Sequence, residues 1–391
     1  MPIIAETIVR RNYPMMTVKQ YRGIESLPSL EKQGDAEREL CLVFATTEQL
    51  NQPEIQENLK ALAGAMVVAG ASTEVTITNA GIDNALVFTK LHFEHTRIQT
   101  VSAPVPTPES SHEAGYTLGR ALADKALAYI LLLADGIHVD GSALVSGVQE
   151  GVGSDIPITG GLANDGARFQ QTFVVAGAQV LSSSAVAIGF YGTRFRMGHG
   201  AVGGWQPFSP LMRVTRSRGN IVYAFDDYPA LALYERYLGK DADGLPATGL
   251  LFPLALYNNH SQSTGLVRTL VDMDRDQSAL IFAGDVPEGC WVRLMHARFD
   301  ALVDGAEHSA RYALQSLHTE QPPFALLVSC IGRWLLMGDF TAEEVAAARR
   351  LLGVSTCFTG FYSNGEFSPF NPTARCELHN QTMTIALWTE Q

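Results

Sequence analysis

The chain has 391 residues, 46% hydrophobic and 17% charged, with 40 acidic against 28 basic side chains and a formal charge of -12. That length suits two compact units better than one core, and the apolar content argues against long disordered tracts. An acidic balance with no Lys/Arg cluster excludes a phosphate-backbone partner, so no nucleic acid is expected. Residues 1–20 carry scattered charges instead of the apolar block of an export signal. The longest apolar run, Ala126 to Ala134, is too short to span a bilayer, so no membrane insertion is expected. Five scattered cysteines without a C-x-x-C pair read as free thiols in a cytoplasmic protein.

Along the chain, three stretches repeat one order of signals: an apolar strand, a helix, a Gly/Asn-rich turn, then alternating strands. The first runs from the strand Leu42 to Thr46 through a helix Glu48 to Leu62 and a turn at Gly70 to Glu74, then to a strand Ala85 to Leu91. A helix is expected from Ser111 to Ala128, capped by Ser111, with Tyr116, Leu118, Leu122 and Leu127 on its buried side. The second stretch follows: strand Tyr129 to Ala134, helix Gly141 to Gly151, turn Gly160 to Gly166, strands Thr172 to Val175 and Ala185 to Phe190. Pro229 and Gly239 bracket a further helix, and Lys240 to Gly249 is the weakest point in the pattern. The third stretch has the strand Ala325 to Ser329, the helix Thr341 to Leu352 with Thr341 as N-cap and Glu344 three residues on, a turn within Gly360 to Glu366, and the strand Thr382 to Trp388. Strand, helix and two further strands per unit predict an α+β fold: two packed mixed, largely antiparallel sheets flanked by helices. The units fall in domains 36–239 and 240–388.

Local catalytic and metal signatures fail on context. Gly198-His199-Gly200-Ala201-Val202-Gly203 fits G-x-G-x-x-G, but Trp205, Pro207 and Pro210 follow where a dinucleotide site needs a helix. Asp272 to Asp276 opens like a calcium loop, yet Gln277 and Ala283 replace the required Gly and Glu. His92 and His95 lie on a strand-like segment, where residues three apart face opposite ways. No nucleophile elbow is present, so an unrecognised hydrolase ranks below a non-enzyme.

Three segments concentrate Gly, Asn, His and aromatic residues: Gly160 to Phe169; Gly198 to Trp205, followed by Val214 to Asn220; and Gly360 to Glu366 with Cys376 to Met383. Together they resemble the FIST family, whose N- and C-terminal halves occur together in bacterial signal-transduction proteins. The resemblance is most specific at Gly161 to Phe169, Ala230 to Leu238, and Tyr362 to Glu366 paired with Leu378 to Thr382. It implies an intracellular sensor of small ligands, amino acids among those proposed. The chain further resembles the NosP group of haem-dependent nitric-oxide sensors. That implies haem as cofactor and a separate histidine kinase, or diguanylate cyclase or phosphodiesterase, as partner.

On this resemblance, His199 is the candidate axial and metal ligand, with Trp205 beside it and Arg196 for the propionates; His379 is a second candidate. The alternative for His199 is a turn residue between two glycines, and for His379 a core imidazole bonded to backbone. Release of the His199 tether by nitric oxide would reposition a Gly198 to Gly204 loop. Asn164, Tyr362, Asn364 and Glu366 are candidates for orienting the charged groups of a small amino acid, or for closing their turns.

Overall fold

The computed structural model describes residues 7–12, 15–23, 35–153, 155–319, 321–370 and 375–391. The reading of residues 1–20 as free of an export signal therefore lies partly outside the described residues. Mixed, largely antiparallel sheets flanked by helices are present, four of them among the described residues. Three are built alike, one per repeat.

In each repeat the first two strands run parallel, and the last strand returns antiparallel beside the first. The pairs are Glu39–Ala45 with Val67–Ser72, Leu127–Ala134 with Ile158–Leu162, and Phe324–Cys330 with Cys357–Ser363. The returning strands are Val87–Phe93, Ser184–Tyr191 and Met383–Glu390. Parallel neighbours cannot be joined by a tight turn, which is why each pair needs its helical crossover. The helices are Pro53–Ala63, Gly141–Val152 and Thr341–Leu352. Beyond the returning strand lies the strand that leads into each repeat: Met16–Arg22, Arg97–Pro104 or Phe195–Val202.

The far side of each of these three sheets is completed by a hairpin from a different repeat. The first repeat's Thr76–Thr78 and Gly81–Asp83 extend the third sheet. The second's Val174–Ala176 and Gln179–Leu181 extend the first sheet, and the third's Gly365–Pro369 and Cys376–His379 extend the second. This exchange is cyclic. No repeat closes its own sheet, and segments before and after residue 240 share two of the three.

The three sheets turn one face to a common core, where Leu42 and Phe44, Leu131 and Leu133, and Leu326, Val328 and Trp388 meet. Alternation sends Ile130 and Leu132 to the opposite face, under helices Ser111–Leu122 and Gly141–Val152. Burial on both faces explains the continuous apolar run of this strand. The fourth, nine-stranded sheet is inserted between residues 206 and 296. It has its own core around helix Ala230–Leu238, with Phe225, Tyr234 and Phe282. Arg268 ties it back by donating to the Leu378 carbonyl at 2.8 Å.

Several expected boundaries move for local reasons. The helix expected over Glu48 to Leu62 is two, Thr47–Leu50 and Pro53–Ala63, because Thr46 and Gln49 form a capping box and Pro53 starts a second helix. The Ser111 helix ends at Leu122, and Leu127 already pairs with Tyr191. Tyr116 is exposed on that helix, and the Ser111 hydroxyl accepts from Asp140 N instead of capping its own helix. Thr341 is the first helical residue, with Phe340 at the cap position; its hydroxyl donates to the Gly338 carbonyl, and Glu344 turns inward to Arg333.

Candidate functional site

Gly198, His199 and Gly200 do not form a turn. They lie in the edge strand Phe195–Val202, antiparallel to Met383–Glu390. The glycines serve packing: a Cβ on Gly198 would sit 2.2 Å from the Ala313 carbonyl oxygen, and one on Gly200 2.2 Å from that of Ser309. Helix Phe299–Leu317 therefore rests directly on the strand's backbone. The outward N–H of His199 donates to Ser316 Oγ at 2.8 Å, which anchors the histidine's backbone to that helix. A loop free to be repositioned by a released tether, as expected from the glycine content, is thus not present here.

Beside this strand lies a cavity of about 620 Å³, lined by His199 to Gly203, Gly265, Tyr312, Gln315, Ser316, His318 and Phe370. His199 is 7% exposed and its Nδ1 has no hydrogen-bond partner among the described residues. Burial pushes its pKa down to about 4, so the ring is neutral at pH 7 and keeps a lone pair for a guest. Trp205, expected beside a haem, packs against Gly203 and donates its Nε1 hydrogen to the Gln381 carbonyl at 2.9 Å, but does not line the cavity. Arg196 falls on the strand face of Gly198 and Gly200, is exposed, and donates to the carbonyls of Thr193 and Phe195 at 2.6 and 2.9 Å. It does not line the cavity.

His379 is fully buried, with Nε2 2.9 Å from the Ser368 carbonyl and Nδ1 unpartnered. Burial lowers its pKa to about 4 against the opposing pull of that hydrogen bond, and repulsion from Arg268 and from His199 adds to the lowering.

The four residues expected to orient an amino acid are spent inside the protein. Asn164 Nδ2 donates to Asn364 Oδ1 at 2.7 Å, and Asn364 Nδ2 to the Gly136 carbonyl at 3.1 Å. Asn164 Oδ1 accepts from Gly166 N. The Tyr362 hydroxyl donates to Glu344 Oε1 at 2.5 Å, and Glu366 accepts from Ser363 Oγ and from Thr382 Oγ1 at 2.6 and 2.8 Å. They lock the ends of the second and third repeats together. Asn364 alone also lines a cleft of about 560 Å³, with Asp140 and Asp285.

Glu366 carries a measurable signature of that role. Burial raises its carboxyl to about 8 from an ordinary 4.5, with the hydrogen bonds from Ser363 and Thr382 pulling the other way. Below pH 4.5 the group is protonated in both states; between 4.5 and 8 the unfolded chain sheds the proton and the fold keeps it. Stability thus falls as pH rises through this window. Glu366→Gln, neutral throughout, is expected to match the parent near pH 4.5 and to exceed it in urea unfolding at pH 8. Parallel pH profiles for the two proteins would show that Glu366 does not titrate in this way.

Tyr312, Ser316, His318 and Phe370 carried no local signal in the sequence. Only the helical i,i+4 spacing of Tyr312 and Ser316 puts two of them on one face. No group of three or more His, Cys, Asp or Glu residues arranged to hold a metal ion exists among the described residues.

No helix among the described residues is long and apolar enough to cross a membrane. The sequence matches the family model for the FIST N domain over residues 39–228 and that for the FIST C domain over residues 230–369. A comparison with curated proteins gives no match. With both models matched in tandem over most of its length, the chain belongs to the FIST family of sensory modules.

Proposed function

We propose that this module senses through a haem seated in the His199 cavity, detects nitric oxide, and hands the signal to a separate histidine kinase or cyclic-di-GMP enzyme. The observation that supports it is the neutral, unpartnered imidazole of His199 beside an apolar space of about 620 Å³, within the size range of small-molecule and cofactor sites. When bound, haem supplies an iron centre that takes up a diatomic gas. His199 would ligate it, and Gln315, Ser316 and His318 are the polar side chains available to its carboxylates. Through Ser316 the histidine's backbone is coupled to the last turn of helix Phe299–Leu317, so a displaced His199 would pull on that helix. Such a displacement regulates a partner only if the two positions differ in affinity for it.

A metal-free small ligand in the same cavity is the second reading. It is favoured by the absence of any Lys or Arg among the lining residues, which leaves propionates without a cation. Haemin titrated into the purified protein separates the two. The haem reading expects a saturable Soret band that His199→Ala abolishes or shifts by several nanometres. An unchanged band in His199→Ala removes His199 from the role, and failure to take up haem leaves the metal-free reading.

A further inference from the structure

Two arginines are buried among the described residues, and the fold treats them differently. Arg333 is paired with Glu344, whereas Arg268, 4% exposed at the end of strand Ser263–Arg268, meets no carboxylate at ion-pair distance among the described residues. Its Nε donates to the Asp285 carbonyl at 2.8 Å, and its Nη1 to the carbonyls of Leu378 and Val267 at 2.8 and 3.2 Å. Nη2 has no partner among the described residues. A guanidinium keeps its charge at any working pH, and a buried charge in contact with carbonyl dipoles alone is costly until a counter-charge meets it.

Arg268 lines a cavity of about 430 Å³ between the inserted sheet and the second repeat. Unlike the sealed, unpartnered Nε of Arg293, Nη2 of Arg268 keeps accessible surface, so it is the part of the cation that a guest in this cavity reaches. Val145, Leu256, Leu266 and Pro287 give the same space an apolar wall. The other charged groups on it are Arg375, Asp285 and Glu377. Glu377 is exposed and Asp285 partly so. Burial lowers the pKa of Arg268, and Glu377 opposes this most strongly, with Asp285 and Asp140 acting in the same sense. Water screens these carboxylates, whereas a group seated on Nη2 is screened far less.

We propose that this cavity is a second ligand site, one that takes a small aliphatic carboxylate, with the acid group on Arg268 Nη2 and the hydrocarbon chain against Val145, Leu256 and Leu266. The two hydrogens left on Nη2 call for an acceptor, and the uncompensated charge makes an anionic acceptor better than a neutral one. An apolar wall beside one reachable buried cation suits a short chain ending in a single acid group. Asp285 and Glu377 oppose any anion from the flanks, which disfavours guests of higher negative charge and holds the Kd at roughly 1 mM. The cavity joins strands of the inserted sheet to helix Gly141–Val152, so a guest there clamps the inserted sheet onto the body. This site goes beyond the haem reading and is independent of it, since none of its lining residues belongs to the His199 cavity.

Thermal melts of the haem-free protein at fixed ionic strength test it, with butyrate as the probe and butyramide and butylammonium as neutral and cationic counterparts of the same chain length. Butyrate at ~10 mM is expected to raise the midpoint by about 2 °C, and the counterparts to leave it in place. Arg268→Met should abolish the butyrate shift. Glu377→Gln, at an exposed position, removes an opposing charge and should enlarge the shift; it decides the matter should Arg268→Met fail to fold. Equal shifts from butyrate and butyramide, no shift in the parent, a shift retained in Arg268→Met or one not enlarged in Glu377→Gln overturn the proposal. His199→Ala should keep the full butyrate shift, so loss of haem uptake and loss of carboxylate binding are told apart.

Discussion

Replacing Arg333 with methionine is expected to cost about 3–5 kcal/mol, the range for breaking a buried ion pair from one side. Arg333 and Glu344 are both fully buried, with Nη2 and Nε 2.7 and 2.8 Å from Glu344 Oε2. The guanidinium also donates to the carbonyls of Gly203 and Leu302 at 2.6 and 2.8 Å. The other Glu344 oxygen accepts from Ser329 Oγ and the Tyr362 hydroxyl at 2.9 and 2.5 Å. Removing the cation strands a carboxylate among these groups and frees two carbonyls that belong to the cavity wall and its helix. Urea unfolding at neutral pH measures the loss. The double variant Arg333→Met, Glu344→Leu should recover much of it, because an apolar pair leaves no unpaired charge. A single variant within about 1 kcal/mol of the parent would mean that water reaches the pair.

Gly200→Val is the second large effect. Its Cβ would start 2.2 Å from the Ser309 carbonyl oxygen, a backbone atom that cannot rotate away. The helix has to lift off the strand, at a cost of about 3 kcal/mol, the upper part of the usual overpacking range. The same movement separates His199 N from Ser316 Oγ and opens the cavity, so haemin uptake should fall along with the thermal midpoint. Gly64→Ala is the matched control: its nearest neighbour is a carbonyl oxygen at 3.5 Å, and its effect should be close to zero. If the two variants melt alike, the helix does not rest on the strand.

These two sites mark the limits of what the residues alone disclose. The repeats were legible because each carries a parallel strand pair with a helix between, a signal confined to 34 to 40 consecutive residues. The hairpin exchange was not. Thr76–Thr78 with Gly81–Asp83 has the same local pattern whichever sheet it joins, and its partners Gly360 and Phe361 lie almost three hundred residues away. The inserted sheet went unseen for a similar reason, since its short strands carry period-two signals with nothing to say that they pair among themselves.

At the site, His199 was visible as a histidine among glycines, but the glycines misled. Gly-His-Gly reads as a turn because glycine is usually needed for backbone freedom, while here it clears space for a helix more than a hundred residues downstream. Arg196 was placed with His199 by proximity in sequence, and strand alternation separates them. Asn164, Asn364 and Glu366 stood out in the sequence as candidates to orient a ligand. Their hydrogen bonds are internal, which composition cannot distinguish from bonds reserved for a ligand.

Hydrogen–deuterium exchange of the protein with and without one equivalent of haemin locates the guest most directly. Slower exchange should appear in residues 199–203 and 312–318, the two walls that meet at His199 and Ser316. Protection confined to residues 136–141 and 282–285, which line the Asn364 cleft, would contradict occupancy of the His199 cavity.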